Sequence, residues 1–210
     1  MKPSHARTSS RSKGSSPTAL GRRDEVLAKA AVLFAERGFA STTVREIADA
    51  VGLLSGSLYH HFDSKEAILD EILRGVLEQL LTEQRKIVAE ADTPRAALER
   101  LVLHAFTAID ERGAELSVYQ KEFRLVAAHP RFGNVAQLAK QFERLWTGVL
   151  RDGRRSGDFR SDLDPAIAHR FIRDAVWTSV HWHRPGGKLT PHAMADQYLT
   201  LLVDGLRPGA

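Results

Sequence analysis

Apolar residues recur at helical spacing along most of the chain, and this periodicity predicts a protein built from helices. A first amphipathic helix is predicted from Arg22 to Arg37, and Gly38 follows it as the glycine that commonly ends a helix. Its apolar side carries Val26, Leu27, Ala30, Leu33 and Phe34. Thr43, with Glu46 three residues later, forms a capping box that predicts the start of the next helix. No run of alternating β-branched residues indicates a sheet.

Residues 44 to 63 predict two short helices joined by a tight turn. Gly52 stands between them, where the chain needs a residue that accepts positive φ. The second helix is expected over roughly 55 to 61. The apolar positions that pack the pair together are Ile47, Ala48, Val51, Leu53 and Leu58. A short helix with a packed inner face and a polar outer face, set at an angle to its neighbour, fits a DNA major groove. The chain is therefore predicted to bind DNA.

The stretch from 22 to 70 resembles the DNA-binding domain of the TetR family of transcriptional regulators. The resemblance is carried by TTVREIA at 42 to 48, Gly52, LYHHF at 58 to 62, and Lys65 with Glu66. It implies an all-α homodimer, with an N-terminal three-helix domain that contains a helix-turn-helix and a C-terminal helical domain that binds an effector and dimerises. The expected divisions are a disordered basic arm (1–21), a DNA-binding head (22–68) with its helix-turn-helix at 44–63, and a body (69–210).

Composition agrees with two helical units in one chain. The 210 residues are 43% hydrophobic, which suffices for a small head and one larger core. The chain has no cysteine, so disulfides and thiolate metal sites are excluded, and we predict no cofactor and no metal. No apolar stretch approaches the ~18 residues that span a membrane, and no signal peptide precedes the first helix. A soluble, cytoplasmic protein is expected.

Positive charge is concentrated at the N-terminus. Residues 1 to 23 hold Lys2, Arg7, Arg11, Lys13, Arg22 and Arg23 without an acidic residue, a charge of +6, whereas the whole chain carries +4. This Ser-, Gly- and Pro-containing arm has too few apolar residues to bury a core. Two interpretations of the residues before Arg22 stay open: an arm that contacts phosphates and the minor groove, or a solubilising leader. For Arg22 and Arg23 phosphate contact is expected.

DNA contacts in the head can be assigned by residue type. Thr42, Thr43 and Arg45 precede or begin a helix, where free N–H groups favour phosphate. Tyr59, His60 and Lys65 are expected to contact phosphate where the second helix leaves the groove. The predicted base-reading positions are Leu54, Ser55, Gly56 and Ser57, with Gly56 allowing close backbone approach. His61 is expected to pack or cap rather than touch DNA.

The body is predicted as helices over about 64–90, 94–112, 115–128, 131–155, 165–183 and 191–206. Pro94, Pro130, Pro165 and Pro191 stand near helix starts, where proline is tolerated. The last two helices carry apolar stripes around Phe171 and Leu201. In TetR-like proteins the corresponding helices form a dimer interface, although a monomeric core would show the same stripes. Reading a palindromic operator also requires a pair of heads.

An effector cavity is expected inside the body. Its predicted wall consists of Phe106, Tyr119, Phe123, Phe142, Trp146, Arg173 and Trp177. Each aromatic residue has an alternative role in an ordinary core. Arg173 is predicted to be buried and therefore to need an anionic partner. Its neighbour Asp174 is not expected to serve, because adjacent helical side chains point apart. An anionic ligand and an ion pair at an interface both remain open.

Beyond the head, RFIRDAVWTSVHWHRPGGKLT at 170 to 190 and the helix around Tyr198 resemble a subgroup of the family. This subgroup is the KstR-type repressors of actinobacterial cholesterol catabolism. The resemblance implies that the effector is an acyl-CoA thioester of a steroid-ring degradation intermediate, and that its binding releases the DNA. A CoA thioester offers phosphates for arginine and histidine at a pocket mouth and an apolar bicycle for aromatic side chains inside.

Other function classes fit the sequence less well. An enzyme is not expected, because phosphate-binding loops, dinucleotide fingerprints and nucleophile elbows are missing from the sequence. His181 and His183 are two residues apart, and on a helix they diverge, so they are interpreted as surface or dimer-contact residues. A DNA-packaging protein explains the arm but not a second domain. The remaining alternative is a TetR-type repressor that senses another ligand, such as a fatty acyl-CoA or a drug, and controls lipid metabolism or efflux.

Overall fold

The protein is helical throughout the region that the structure describes. The computed structural model describes the backbone of residues 19–206 and the side chains of residues 21–203. Within these bounds there is no strand, and no helix is long and apolar enough to cross a membrane. The predicted basic arm before Ala19 lies outside the described residues. One hydrophobic core runs from the head into the body, from Val26 to Ala195.

The head is built from three helices, as predicted. They are α1 (Ala19–Arg37), α2 (Val44–Ala50) and α3 (Ser55–Leu58). Gly38 and Gly52 end the first two with φ of 86° and 66°, a left-handed conformation that side chains with a Cβ rarely adopt. The capping box of Thr43 and Glu46 is present, with both reciprocal hydrogen bonds formed. The local signals at Gly38, Gly52 and Thr43 therefore located these helix ends correctly.

Three boundaries in the head differ from the prediction. Helix α1 begins at Ala19, before the expected limit of the arm. The recognition helix α3 ends at Leu58 rather than continuing to 61, and residues 59–61 form turns. Asp63, with Glu66 three residues later, predicts the start of the next helix, but the cap is Ser64, whose side chain accepts a hydrogen bond from Ala67 N–H. Both residues are good caps, and the backbone geometry selects the serine.

The body contains seven α-helices within the described residues. They are α4 (Lys65–Ala89), α5 (Pro94–Glu111), α6 (Gly113–Lys121), α7 (Phe123–Ala128), α8 (Gly133–Ser156), α9 (Pro165–Thr178) and α10 (Pro191–Leu206). The helix predicted over 115–128 is in fact two helices that meet at Glu122. Pro130 begins a 3-10 turn before α8, and α9 ends at Thr178, followed by a second 3-10 turn, Ser179–His181.

Long-range polar contacts tie these elements together. Arg23 on α1 forms a two-bond ion pair with Glu71 on α4, at 2.6 and 2.8 Å. The His183 side chain is buried, and its Nε2 lies 2.7 Å from Asp110 Oδ1, so the interpretation of His183 as a surface or dimer-contact residue was wrong. His181 is exposed, as expected.

The apolar stripes of the last two helices divide between core and surface. Ile172, Val176 and Met194 are buried in the core. Phe171 and Leu201 instead leave 72% and 77% of their surface exposed. Phe171 and Leu201 are therefore available to an interaction surface on each of these two helices.

Candidate functional site

The recognition helix presents a polar and mostly exposed surface. Leu58 is buried against α2, and this contact turns the other side of α3 outward. On that outer side Gly56 is exposed, and Ser55 and Ser57 are partly buried. Leu54 and Tyr59 expose 80% and 55% of their surface at the two ends of the helix, and His60 is exposed next to Tyr59. This surface is accessible to a groove of DNA.

Arg45 and Thr43, two residues at the start of α2 that were predicted to contact phosphate, are both exposed. The side chain of Arg45 is 84% exposed and lies 3.9 Å from Asp49, a distance at which it is free to turn toward a phosphate. Thr43 is exposed, although its hydroxyl donates to Glu46 Oε2 at 2.8 Å as part of the capping box.

Thr42 does not belong to this surface. Its residue is fully buried, and its hydroxyl donates to the carbonyl of Gly38 at 2.9 Å. A side chain in this position secures the turn between α1 and α2, and DNA cannot reach it. The prediction of a phosphate contact by the Thr42 side chain was therefore wrong.

Lys65 has an intramolecular role in the structure. Its ammonium donates to the carbonyls of Phe39 and Thr42 at 2.7 and 2.8 Å, and it lies 4.4 Å above the Phe39 ring. These contacts fix the loop between α1 and α2 to the start of α4. The expectation that Lys65 contacts phosphate does not fit this geometry, because the ammonium faces the protein.

Arg22 and Arg23 are likewise occupied within the protein. Arg22 pairs with Glu25 at 2.8 Å. Arg23, besides its pair with Glu71, donates to the carbonyl of His61 and lies 4.2 Å from the centre of the Phe62 ring. Since Arg23 joins α1, the turn after α3 and α4, its structural role is clear, and a phosphate contact would require it to leave these partners.

A cavity of about 540 Å³ lies inside the body, between helices α4 to α9. Its volume is in the range of sites for small molecules. Six of the seven predicted residues line it: Tyr119, Phe123, Phe142, Trp146, Arg173 and Trp177. Sequence reasoning missed the further apolar residues of the wall, Leu77, Val126, Ile172 and Val176, and the polar residues Gln84, Gln120, Lys140, Glu143, His169 and Asp174.

Phe106 does not line the cavity. It is buried between α5 and α10, where its ring meets that of Tyr198 edge-on with 6.0 Å between centres. The effector role predicted for Phe106 was therefore wrong, and the alternative of an ordinary core residue is correct. Burial raises the pKa of Tyr198 to about 12, so this partner stays neutral.

Charged side chains of the cavity wall lie near solvent. Lys140, Glu143, Arg173 and Asp174 are exposed, and we call these four residues the rim. The side chain of Arg173 is 47% exposed rather than buried, and its Nε donates to Asp174 Oδ1 at 2.8 Å. The expectation that Asp174 does not partner Arg173 was wrong, because the long arginine side chain folds back to the adjacent carboxylate.

The interior of the cavity carries uncharged polar groups among apolar ones. Trp146 Nε1–H donates to Gln84 Oε1 at 2.9 Å, and both residues are buried. Gln84 Nε2 lies 3.4 Å from His104 Nδ1, and His104 Nε2 lies 2.9 Å from Glu83 Oε2. This chain of contacts joins the cavity wall on α8 to the long helix α4 and to α5.

Two further polar residues of the wall have no such partner. His169 is 94% buried, and its ring centre lies 6.3 Å from that of Trp146. Gln120 Oε1 is buried without a hydrogen-bond partner among the described residues. Burial lowers the pKa of His169, and the positive charge of Arg173 lowers it further. The imidazole is therefore neutral at pH 7.

Comparison with known protein families agrees with this arrangement. Residues 26–72 match the model for bacterial regulatory proteins of the tetR family. Residues 91–206, more than half of the chain, match the model for the tetracyclin repressor-like C-terminal domain. The chain belongs to the TetR family. It is therefore a member of a family of bacterial regulatory proteins rather than of an enzyme family, as the sequence predicted.

Within the TetR family the chain is similar to repressors named KstR2. It is 52% identical over 186 residues to the transcriptional repressor KstR2 of Rhodococcus jostii, covering 89% of this chain and 91% of that protein. Identity to KstR2 of Mycobacterium tuberculosis is 46%, covering 88% and 92%. The structure of that ketosteroid transcriptional regulator superimposes with a TM-score of 0.85, covering 90% of this chain and 97% of the other. The predicted resemblance to the KstR-type subgroup is confirmed.

One short segment of this TetR-family chain touches both the cavity and the head. It spans residues 119–123, where α6 meets α7, and we call it the junction segment. Tyr119, Gln120 and Phe123 line the cavity. Lys121 Nζ donates to the carbonyl of Ala35 on α1, and Glu122 Oε1 accepts from Phe39 N–H at 3.3 Å. Neighbouring residues thus face the two candidate sites.

Proposed function

We propose that this chain is a transcriptional repressor that binds a palindromic operator as a homodimer and leaves it when an effector fills the cavity. The proposed effector is an acyl-CoA thioester of a steroid-ring degradation intermediate, and the controlled genes serve steroid or cholesterol catabolism. The observation that carries the proposal is the similarity, along nearly nine tenths of the chain, to repressors named KstR2, one of which is described as a ketosteroid regulator.

In this proposal the head binds DNA and the body forms the dimer. The head, residues 22–68, contacts DNA through the exposed side of α3 and the start of α2. Because α3 contains four residues, one head reaches few base pairs, and two heads related by two-fold symmetry are needed for a specific site. The exposed Phe171 and Leu201 on the last two helices of the body support a homodimer.

The cavity suits a ligand with one apolar and one anionic part. Its interior is lined by aromatic and aliphatic side chains, which favour a fused apolar ring system. The cationic rim residues Arg173 and Lys140 stand where solvent enters, which favours the phosphates of a nucleotide-like carrier. Neither part alone fills both regions, so free CoA and the free ring acid should each bind weakly.

Release of DNA requires a conformational difference between the two states. An effector shifts the equilibrium only if it binds the arrangement that cannot hold DNA more tightly. Helix α4 is a direct route, because it begins beside the head at Lys65 and supplies Leu77 and Gln84 to the cavity wall. An occupied cavity would tilt α4 and change the separation of the two heads. Phe123 and Trp146 are the aromatic residues of the wall that a bound ligand would press against.

The experiment is an operator-release titration. Fluorescence anisotropy with DNA flanking the gene would measure binding, and the CoA thioester of a bicyclic steroid remnant would be added to wild type and to Arg173→Ala. A hydrogen bond between charged groups is worth about 1.5–3 kcal/mol. Since Arg173 is half exposed and its charge is screened, we expect the lower end of this range. The concentration needed for release should rise roughly tenfold, and DNA affinity should stay unchanged.

Arg170→Ala is the matched control, because Arg170 is an exposed arginine on the same helix outside the cavity wall. It should leave release unaltered. Free CoA, the free ring acid and a fatty acyl-CoA complete the panel. Release by the fatty acyl-CoA at lower concentration than the bicyclic thioester would contradict the steroid assignment and favour a fatty-acid sensor. Equal response of wild type and Arg173→Ala would return Arg173 to a structural role.

A further inference from the structure

Among the described residues of the cavity wall, two polar residues are buried as whole residues, Gln84 and His169. Gln84 is bonded to Trp146, and in the less buried Gln120 only the Oε1 atom is sealed and unpaired. His169 is 94% buried, yet no hydrogen bond satisfies its ring among the described residues. Both ring nitrogens of His169 retain some solvent-accessible surface. On a residue of the cavity wall, that surface is offered to the cavity.

A buried imidazole without a partner is an unusual feature. Nearly all buried polar groups in proteins are hydrogen-bonded. The nearest aromatic neighbour cannot supply the bond, because Trp146 already donates its N–H to Gln84. Since both ring nitrogens retain accessible surface on the cavity wall, the contents of the cavity can supply their hydrogen-bond partner.

The charge state of His169 narrows the chemistry of that partner. Burial, with Arg173 as a second cause, lowers the pKa of His169 below its ordinary value. A neutral imidazole offers one N–H donor and one nitrogen acceptor. It can therefore donate to a ketone oxygen, or bond a hydroxyl in either direction. An anionic group at this depth would lack a counter-charge, whereas Arg173 at the rim provides one.

Position along α9 gives the spacing between these two contacts. His169, Arg173 and Trp177 follow one another at intervals of four residues and all line the cavity. Side chains at i and i+4 are about 5–6 Å apart at Cβ on one helix face. Helix α9 thus places a neutral hydrogen-bonding group in the interior and a cation one turn later at the rim.

We infer that His169 determines specificity by hydrogen-bonding an uncharged oxygen, a ketone or a hydroxyl, on the apolar part of the effector. This oxygen lies about one helical turn from the group that Arg173 binds. The inference rests on the proposed function, since it takes the cavity to be the effector site, and it adds the identity of the polar group that the interior recognises.

The test uses three two-ring probes that differ at one position: indane, indanone and indanol. Trp146 and Trp177 line the cavity, so quenching of tryptophan fluorescence reports binding. The quantity compared is the preference for each oxygenated probe over indane. In His169→Phe, which keeps an aromatic ring beside Trp146, this preference should fall by about two- to tenfold, the value of one neutral hydrogen bond. His169→Gln carries a donor and an acceptor and should restore part of it.

His192→Phe is the matched control, because His192 is exposed on α10 and should leave the preference unchanged. If His169→Phe does not fold, His169→Leu takes its place. The same preference in wild type and in the apolar variants would overturn the role of His169 and leave the proposed cavity intact. Failure of all three probes to bind wild type would overturn the assignment of the cavity itself, and the inference with it. Loss of preference with partial return in His169→Gln is the expected result.

Discussion

The hydrogen bond between Trp146 and Gln84 provides a sharp test of how the cavity wall is joined to α4. Both residues are buried, and Trp146 Nε1 lies 2.9 Å from Gln84 Oε1. In Gln84→Leu the indole N–H loses its acceptor inside the protein. An unsatisfied buried donor costs about 1–3 kcal/mol. For a chain of this length, each kcal/mol lowers the midpoint of thermal unfolding by about 2–4 °C, so the expected loss is roughly 2–12 °C.

A double-mutant cycle isolates the bond from other effects of the substitution. Trp146→Phe removes the donor and also some packing, and it leaves Gln84 Oε1 without its donor. In the double variant neither polar group remains, so the summed losses of the single variants should exceed the loss of the double variant by about 1–3 kcal/mol. Unfolding must be followed at fixed protein concentration, because a dimer's stability depends on it.

Gln141→Leu is the control for this cycle. Gln141 Oε1 accepts from Arg85 at 2.6 Å on the exposed side of α8, so its loss should change stability by no more than about 0.5 kcal/mol. Additive losses in the cycle, or an unchanged midpoint in Gln84→Leu, would refute the role given to the bond. If the bond also passes the effect of ligand to α4, Gln84→Leu should release less operator at saturating effector than wild type does.

Three further predictions concern DNA, motion and pH. Tyr59→Ala should weaken binding to all DNA sequences and Ser57→Ala should alter the preference between them, which salt-dependent anisotropy on several sites would distinguish. Because the chain has no cysteine, the exposed position Ala50 can carry one spin label per head as Ala50→Cys. The distance between the two labels of a dimer should change when the effector binds. An unchanged distance would contradict a tilt of α4. The pKa of His169 is lowered from 6.5 in the folded protein. The neutral imidazole therefore contributes stability above about pH 6.5, and this stability is lost as the pH falls through the folded-state pKa. The thermal midpoint of His169→Phe should accordingly depend less on pH than that of wild type between these two pKa values.

The head could be predicted closely because its signals are local. Gly38 and Gly52 occupy the two left-handed positions, and Thr43 with Glu46 forms the capping box, each within a few residues of the helix that it bounds. The recognition helix was predicted too long, because the polar residues after Leu58 fit a helix as well as a turn.

Partners far apart in the chain could not be predicted from spacing. Lys65 resembles a surface lysine in the sequence, but the carbonyls of Phe39 and Thr42 converge on it only when α1, α2 and α4 are assembled. Likewise, His183 meets Asp110 across 73 positions. Such contacts depend on tertiary packing, and no helical periodicity reports them.

The cavity wall was predicted only partly. Aromatic residues indicate an apolar interior, but they do not indicate which interior they face. Phe106 packs on α10, whereas Trp146 and Phe142 face the cavity. His169 escaped notice in the sequence, although one signal was present: it precedes Arg173 by four residues on the same predicted helix. Following that spacing back from Arg173 would have placed it on the cavity wall.

The junction segment limits how this protein could be redesigned as a sensor for another molecule. Its cavity-facing residues, Tyr119, Gln120 and Phe123, flank Lys121 and Glu122, which form hydrogen bonds to the head. A substitution that reshapes this wall therefore shifts the backbone that positions the DNA-binding surface. The part of the wall on α8 and α9 has no hydrogen bond to the head among the described residues. Ligand specificity is accordingly easier to change there, because substitutions on α8 and α9 can alter ligand binding while the affinity for the operator is preserved.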